Sequence, residues 1–307
     1  MRILVLGAGG VGGYFGGRLV EKEEDVTFLV RERRRQQLEQ EGLVIHSVNG
    51  DLTLQPKLIT TQDQAEPFDL ILFSTKAYHL QSAIQDVKPF VGEKSVILPL
   101  LNGVAHIQQL QREFGVDKVI GGLCFIETTL NEQGHIVQTS KGHYVRFGEF
   151  GNQETERIRK IEEALGGTRA SFMRSSHIEQ DMWHKYLYIT VIAGVTTLMR
   201  APLGPIRDSE DGREFIRALF LEGQAIMLAH GAPLDQEIVE KHMITMEKTD
   251  DTMKASMLRD MEKGLPIEGQ HLHGYLLHLA QKYGIDSPLL KVIHRHLQVY
   301  ELMQHQA

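Results

Sequence analysis

The chain has 307 residues, 42% of them hydrophobic, and its 33 Lys and Arg against 40 Asp and Glu give a formal net charge of −7. A chain of this length predicts two domains, because a single hydrophobic core stops growing near this size. Both signs of charge are scattered, which excludes the broad basic field that nucleic acid or an anionic membrane demands. An anionic ligand must therefore be met by local cations.

The first residues predict a strand, a helix and a second strand. Residues 2–6 form a compact apolar run, residues 14–22 have helical character, and VTFLV follows at 26–30. This βαβ order builds a right-handed parallel sheet. The apolar segments on either side of the Asn-Gly dipeptide at 49–50 then predict a hairpin.

Further buried strands are predicted at 69–75 and 95–101, with a helix between them. Residues 119–150 alternate short strands with turns, which predicts an antiparallel edge added to the parallel sheet. Long helical periodicities then replace the strand pattern at 178–199, 212–230, 236–248, 270–283 and 287–303. The sequence therefore predicts an α/β Rossmann-type domain over 1–172, followed by an all-α domain over 173–307.

The only cysteine, Cys124, lies in the apolar stretch GGLCFIETT. One cysteine excludes an intramolecular disulfide and a cysteine-based metal cluster, and we interpret it as a small buried hydrophobic residue. Signal-peptide features are absent at the N-terminus, and no apolar run approaches the roughly 20 residues of a membrane span. We expect a cytoplasmic protein with no membrane partner.

The motif GAGGVG lies between the first predicted strand and the first predicted helix. Its first glycine permits a tight turn, its second lets a pyrophosphate approach the backbone, and its third brings helix and strand together. The helix N-terminus attracts the anion. In this βαβ context the motif predicts a dinucleotide-binding loop formed by Gly7, Gly9, Gly10, Val11 and Gly12.

Coenzyme choice is normally made at the end of the second strand. An acidic residue there favours NAD, whereas an arginine pairs with the 2′-phosphate of NADP. The segment FLVRERRR places Arg31 first and Glu32 next. We predict NADP; Glu32 leaves NAD open, and a solvated basic helix start is the non-functional interpretation.

Seven short motifs follow one another along the chain. They are GAGGVG, Arg31 after the second strand, STKAYHL with Lys76, LPLLNGV with Asn102, GGLCFIETT, DMWHKY with Lys185, and SMLRDMEKGLPIEG with Ser256 and Glu268. In this order they resemble the ketopantoate reductase family, the NADP-dependent 2-dehydropantoate 2-reductases of pantothenate synthesis. The resemblance covers essentially the whole chain.

The resemblance implies binding roles on both sides of the reaction. Arg31 and Lys76 are expected to contact the cofactor, and Asn102 is expected to lie between the nicotinamide and the substrate. Ser256 and Glu268 are the substrate-side positions in the helical domain.

The resemblance also makes Lys185 the catalytic acid and Glu268 a second catalytic residue. The chemistry independently requires a group of this kind, because hydride delivered to a ketone carbon produces an alkoxide that must be stabilised and protonated. The structural alternatives are a rim lysine that reaches water at Lys185 and a helix-start carboxylate at Glu268.

The chain departs from the family pattern beyond Lys185. Family members usually carry asparagines four and eight residues after the lysine, and a third in the loop that follows. The residues here are Ile189, Ala193 and Leu203. Because an apolar pocket discriminates weakly, the departure leaves the reaction class intact and puts ketopantoate as the substrate in doubt. The hydroxyl of Thr190 or that of Thr196 would then supply the hydrogen bond that a missing asparagine leaves unmade.

The histidines show no metal-ligand spacing, and His271 and His273 in the segment HLH fall on different faces of an ideal helix. We predict no metal site and interpret the histidines as surface or helix-polar residues.

The leading hypothesis is an NADPH-dependent reductase of a 2-oxo acid, with ketopantoate as the first candidate. One alternative is a reductase of a more apolar 2-oxo acid or a related carbonyl compound, and another is a dinucleotide-binding regulatory protein without turnover. The predicted partner is the small-molecule 2-oxo acid, with no nucleic acid and no membrane. A homodimer is retained as a hypothesis.

Overall fold

The first unit of the chain, Met1–Leu101 with His106–Ile178, alternates strands and helices. The computed structural model describes residues 1–304. Its strands are β1 (Arg2–Leu6), β2 (Asp25–Leu29), β3 (Leu43–Ser47), β4 (Leu52–Leu54), β5 (Lys57–Ile59), β6 (Phe68–Phe73), β7 (Val91–Pro99), β8 (Gly121–Phe125), β9 (Thr128–Leu130), β10 (Ile136–Gln138), β11 (Tyr144–Gly148) and β12 (Ser171–Arg174). Its first helices are α1 (Gly10–Glu21), α2 (Glu32–Glu41), α3 (Leu80–Val87), α4 (Ala105–Phe114) and α5 (Glu156–Leu165).

A five-stranded parallel sheet in the order β5-β2-β1-β6-β7 confirms the predicted βαβ opening. Val5 of β1 lies between Phe28 of β2 and Leu72 of β6. Strand order reverses on the two sides of β1, and ligands of such sheets bind at the carboxyl ends of the strands at that point. The glycine-rich loop begins there.

Both faces of this sheet are covered by apolar side chains, because successive residues of a strand point to opposite faces. Ile3 and Val5 belong to one hydrophobic cluster together with Phe15 of α1. Leu4 belongs to the other, together with Ile84 of α3. A strand buried on both faces must be apolar at every position, which explains the uninterrupted run in β1.

The antiparallel addition predicted from the sequence is present, but as two separate sheets and not as an edge of the parallel one. These sheets have the orders β4-β3-β10-β9 and β12-β11-β8. The predicted hairpin is confirmed by the antiparallel pair β3 and β4. A β-carbon at Gly122 would collide with the carbonyl oxygen of Pro99, so β8 packs closely against the end of β7 instead of extending its ladder.

The second unit comprises Asn102–Ala105 and the residues from Glu179 onward, and it is helical, as predicted. Its helices are α6 (Ile178–Met199), α7 (Leu203–Asp208), α8 (Gly212–His230), α9 (Ile238–Glu247), α10 (Ser256–Glu262), α11 (Tyr275–Tyr283) and α12 (Pro288–Gln304). A π-helical turn, Gln270–Gly274, leads into α11. The domain boundary between residues 172 and 173 stays a prediction.

Two glycines end helices of this unit in the left-handed conformation. Gly231 follows α8 with φ +88°, and Gly284 follows α11 with φ +66°. Glycine adopts this conformation without the steric penalty of a β-carbon. Within residues 1–304, no helix combines the length and apolar character that a membrane span requires.

The start of α12 is capped by a side chain from another helix. The backbone N–H groups of Leu289 and Leu290 each donate to a carboxylate oxygen of Glu222, at 3.0 and 3.0 Å. The first N–H groups of a helix have no partner within the helix, and a carboxylate also interacts favourably with the positive end of the helix dipole. Glu222 therefore anchors α12 to α8.

We predict that Glu222→Ala lowers the free energy of unfolding by about 1–2 kcal/mol, because two N–H groups lose a charged acceptor. Urea unfolding followed by circular dichroism measures the change. Glu214→Ala removes the same type of side chain from an exposed position of the same helix and is the matched control. Equal unfolding midpoints for the two variants would show that the cap contributes nothing.

Candidate active site

The glycine-rich loop leaves its backbone open at the start of α1. Gly7 has φ +95°, and no atom lies within 4 Å of the place where a β-carbon at Gly9 would be. Gly9 caps α1 without a side-chain hydrogen bond, and the first turn carries no acidic residue. The first N–H groups of α1 are therefore available to an anion.

The third glycine of the motif has the packing role that the sequence assigns to it. A β-carbon at Gly12 would collide with the carbonyl oxygen of Gly7, so helix and loop approach each other closely. Thr128 of β9 lies beside Gly10, where its hydroxyl would meet an added β-carbon. Sequence reasoning missed Thr128, since nothing in GGLCFIETT indicates that β9 reaches the loop.

A buried hydroxyl group lies near the glycine-rich loop and bears on whether this loop fits a dinucleotide. The side-chain oxygen of Thr75, directly after β6, is buried and has no hydrogen-bond partner among residues 1–304. Its methyl group lies 4.0 Å from the β-carbon position of Gly7. An open glycine turn, an uncapped helix start and an orphan hydroxyl together fit a dinucleotide, which carries many acceptor oxygens.

The arginine run after β2 divides into arginines with structural partners and arginines that are exposed. Arg34 donates to the carbonyl oxygens of Ala8 and Gly134, at 3.1 and 2.9 Å. Arg35 pairs with Glu39 and Asp63. Arg31 and Arg33 are exposed, and Arg31 occupies the N-cap position of α2.

Lys76 and His79 follow β6, whereas Arg31 follows β2. These two strands pair with β1 on its opposite sides. Lys76 precedes a 3₁₀ turn, Ala77–His79, and the N–H of His79 donates to the carbonyl of Lys76 at 2.9 Å. Burial lowers the pKa of His79, and the positive charge of Arg31 lowers it further.

Lys185 lies in the second turn of α6, and only 8% of its surface is exposed. Its Nζ donates to Oδ1 of Asn102 at 2.9 Å. A buried ammonium without a partner would lose several kcal/mol of hydration. The interpretation of Lys185 as a rim lysine that reaches water is therefore wrong.

Asn102 is held a second time, through its main chain. Nε2 of His271, in the π-helical turn, lies 2.9 Å from the carbonyl oxygen of Asn102. Burial lowers the pKa of His271, while the negative charge of Glu268 and the Asn102 carbonyl act in the opposite direction. Glu268, just before the turn, is 8% exposed. The structure thus brings Asn102, Lys185, Glu268 and His271 into one group.

Two further hydrogen bonds fix the π-helical turn to α6. The hydroxyl of Tyr186 donates to the carbonyl oxygen of Leu272 at 2.6 Å. Nε2 of His273 lies 2.8 Å from the carbonyl oxygen of Thr190, and burial lowers the pKa of His273 to about 4. His273 is fully buried within the helical turn, so of the two interpretations, surface or helix-polar, the second applies at this position.

The positions where the family usually has asparagine are apolar and largely covered. Ala193 and Leu203 are buried, and Ile189 is half-buried. The hydroxyl of Thr196 donates to the carbonyl oxygen of Ile192 at 2.7 Å, so its proton is already used within α6 and only its acceptor lone pairs remain.

Thr190 is buried, and its hydroxyl has no hydrogen-bond partner among residues 1–304. It lines a cavity of about 10 Å³ together with His273 and the apolar residues Val191, Leu219, Leu276 and Leu290. Such a volume holds a single water at most. Thr190 therefore lies in the interior of the helical unit and not at its surface.

Two further residues that the sequence singled out, Ser256 and Cys124, differ in burial. Ser256 is the first residue of α10 and is exposed, and no hydrogen bond within residues 1–304 joins it to Lys185 or Asn102. Cys124 is buried, as predicted, and its Sγ lies 3.4 Å from the carbonyl oxygen of Leu100. In the described part of the chain, no cluster of three or more His, Cys, Asp or Glu side chains has the arrangement of a metal site.

Comparison with solved structures supports the fold. The chain superimposes on 2-dehydropantoate 2-reductase from Geobacter metallireducens with a TM-score of 0.88 at 26% identity, covering 97% of this chain and 99% of that one. It superimposes on D-mandelate dehydrogenase with NADH and anilino(oxo)acetate with a TM-score of 0.90 at 18% identity, covering 99% of each chain. The second likeness shows the fold alone.

Comparison of sequences identifies the family. The chain is 48% identical over 301 residues to an uncharacterized oxidoreductase, YkpB, of Bacillus subtilis, covering 98% of this chain and 99% of that protein. The family model described as ketopantoate reductase PanE/ApbA matches residues 3–152, and the model of its C-terminal part matches residues 177–301. The chain therefore belongs to the ketopantoate reductase PanE/ApbA family and is an oxidoreductase acting on a CH–OH group.

Proposed function

We propose that the protein is an NADPH-dependent reductase of a 2-oxo acid and that Lys185 is its catalytic acid. The observation that carries this proposal is the buried ammonium of Lys185 held by Oδ1 of Asn102. A lysine that serves only solubility or packing does not need a second chain segment to hold its charge. The candidate substrate that family membership supplies is 2-dehydropantoate.

The residues of the second unit perform the proton chemistry in this proposal. When bound, the reduced nicotinamide supplies a hydride to the ketone carbon of the substrate. Negative charge then develops on the former carbonyl oxygen, where the Lys185 ammonium donates a hydrogen bond and afterwards a proton. Asn102 orients the ammonium, and the carboxylate of Glu268 compensates its charge and faces the substrate.

The residues of the first unit bind the coenzyme in this proposal. Gly7, Gly9, Gly10, Val11 and Gly12 form the pyrophosphate loop. Arg31 and Lys76 follow the carboxyl ends of the two strands beside β1 and supply positive charge for a 2′-phosphate. Glu32 accepts a hydrogen bond at 2.9 Å from Gln36, one turn along α2, which supports NADP over NAD.

A second candidate substrate class is supported by the apolar residues on α6. Ile189 and Ala193 offer no donor where ketopantoate's oxygens need one, and Thr190 and Thr196 are both buried. D-mandelate dehydrogenase, which shares the fold, is described with the ligand anilino(oxo)acetate. A 2-oxo acid with a larger apolar chain and no hydroxyl therefore competes with ketopantoate. A homodimer, a cytoplasmic location and a place in pantothenate synthesis stay predictions.

We predict that Arg31→Ala weakens NADPH binding by about 1.5–3 kcal/mol and leaves NADH binding nearly unchanged, because a charge-assisted hydrogen bond to the 2′-phosphate is lost. Fluorescence titration with each coenzyme gives the two dissociation constants. Arg33→Ala, in the same first turn of α2 and also exposed, is the control. A wild-type preference for NADH would contradict the proposed coenzyme.

We predict that Lys185→Ala lowers kcat by about 10² or more while NADPH affinity stays nearly intact, because the ammonium acts on the alkoxide. Steady-state assays and coenzyme titration separate the two effects. The exposed Lys248→Ala serves as the control for loss of one positive charge. A folded Lys185→Ala enzyme with full turnover would remove Lys185 from the mechanism.

We predict weak activity with ketopantoate and higher activity with 2-oxo acids that carry a larger apolar chain. Each missing hydrogen bond costs about 0.5–1.5 kcal/mol, so restoring two with Ile189→Asn and Ala193→Asn should raise kcat/KM for ketopantoate roughly 5- to 150-fold. NADPH oxidation with a panel of 2-oxo acids measures both effects. If ketopantoate is the best substrate of the wild type, with a low KM, the apolar residues do not set specificity.

A further inference from the structure

The turn that carries Asn102 packs directly on the π-helical turn. Gly103 has φ +79°, and a β-carbon there would lie 3.0 Å from Leu272 and 3.3 Å from Nε2 of His271. The His271 ring therefore contacts the backbone of residues 102 and 103 without a side chain between them. Asn102 is bound on two sides, through its main-chain oxygen by His271 and through its side-chain oxygen by Lys185.

The hydrogen bond from His271 has a fixed direction. A carbonyl oxygen can only accept, so Nε2 of His271 carries a proton whether the ring is neutral or charged. Two charged groups near the ring are Glu268, three residues earlier, and Lys185, on the other side of Asn102. Protonation of the ring thus changes the charge beside Asn102 and leaves the donor in place.

The π-helical geometry explains why this histidine reaches Asn102. In an ideal α-helix, residues 271 and 273 fall on faces about 200° apart, whereas a π turn changes the angle between successive residues. The turn is held by Tyr186 at Leu272 and by His273 at Thr190, both on α6. Its position relative to Lys185 is therefore fixed by bonds that do not involve His271.

We propose that His271 is a positioning residue: by donating to the main-chain oxygen of Asn102, it holds the Asn102 side chain in the orientation that accepts from the Lys185 ammonium. The proposal rests on the proposed role of Lys185 as the acid. Without this donor, the turn at Asn102 and Gly103 rotates more freely. The ammonium then loses an acceptor that favours its charged form and fixes its direction.

Three variants separate the hydrogen bond from the packing of the ring. His271→Phe keeps an aromatic ring and removes the donor, and His271→Leu is the second variant without a donor if the Phe variant does not fold. His271→Gln keeps an N–H at a reach similar to that of Nε2. His278→Leu, on the exposed face of α11, is the control.

We predict that His271→Phe lowers kcat roughly tenfold, leaves the dissociation constant of NADPH unchanged, and moves the alkaline limb of the kcat profile to lower pH, since the ammonium is less well oriented and less stabilised. His271→Gln and His278→Leu should retain wild-type values. These measurements use the full chain with NADPH and whichever 2-oxo acid is turned over fastest.

A second readout does not depend on turnover. Mass spectrometry of Lys185 after brief reaction with acetic anhydride at a series of pH values gives the midpoint at which its amine becomes reactive, with and without NADPH. We expect this midpoint to fall in His271→Phe and to be restored in His271→Gln.

The proposal is overturned if the Phe and Leu variants match the wild type in kcat and in the labelling midpoint. It is also overturned if Gln is as impaired as Phe, because the ring and not the hydrogen bond would then be required. Failure of the proposed function looks different, since Lys185→Ala would stay active while the labelling midpoint of Lys185 still responded to the donor at residue 271.

Discussion

The hydrogen bond between the Lys185 ammonium and the Asn102 side chain is the interaction around which the helical unit is arranged. The amide oxygen of Asn102 is neutral and accepts from the ammonium at 2.9 Å, so it fixes the direction of the ammonium without adding a second negative charge to that of Glu268. Asn102–Ala105 belongs to the helical unit, and this bond and the one that His271 makes join Asn102 to residues of that unit.

In the first unit, the fold leaves polar groups without hydrogen-bond partners among the described residues at one edge of the parallel sheet. Apolar clusters cover both faces of the parallel sheet, so ligand binding is confined to the edge where β1 and β6 end. At that edge the start of α1 has no side-chain cap, and the buried hydroxyl of Thr75 has no hydrogen-bond partner within the described residues 1–304. Polar groups without hydrogen-bond partners lower the free energy of unfolding of the chain without ligand. An anionic ligand that binds only the folded state raises that free energy again.

The long regular elements could be predicted from the sequence, whereas contacts between distant segments could not. The predicted bounds of α6 and α8 agree with the structure because long apolar periodicity specifies a helix locally. The parallel pairing of β10 with β3 joins distant segments of the chain, and no local pattern encodes it. At the site, Lys185 and Asn102 were predicted by resemblance. His271 was missed because ideal helix geometry was assumed where the chain forms a π turn.

In the proposed function, catalysis and recognition occupy different turns of α6, which allows one to change without the other. Lys185 and Tyr186 connect to Asn102 and the π-helical turn, whereas Ile189 and Ala193 lie one and two turns further along and make none of those bonds. Burial of a methylene group contributes about 0.8 kcal/mol, and a typical hydrogen bond contributes about 0.5–1.5 kcal/mol. One or two extra methylenes on a substrate therefore offset each amide that this chain lacks, and the geometry of the acid stays the same. Divergence of substrate within the family requires changes only in the residues that line the substrate chain.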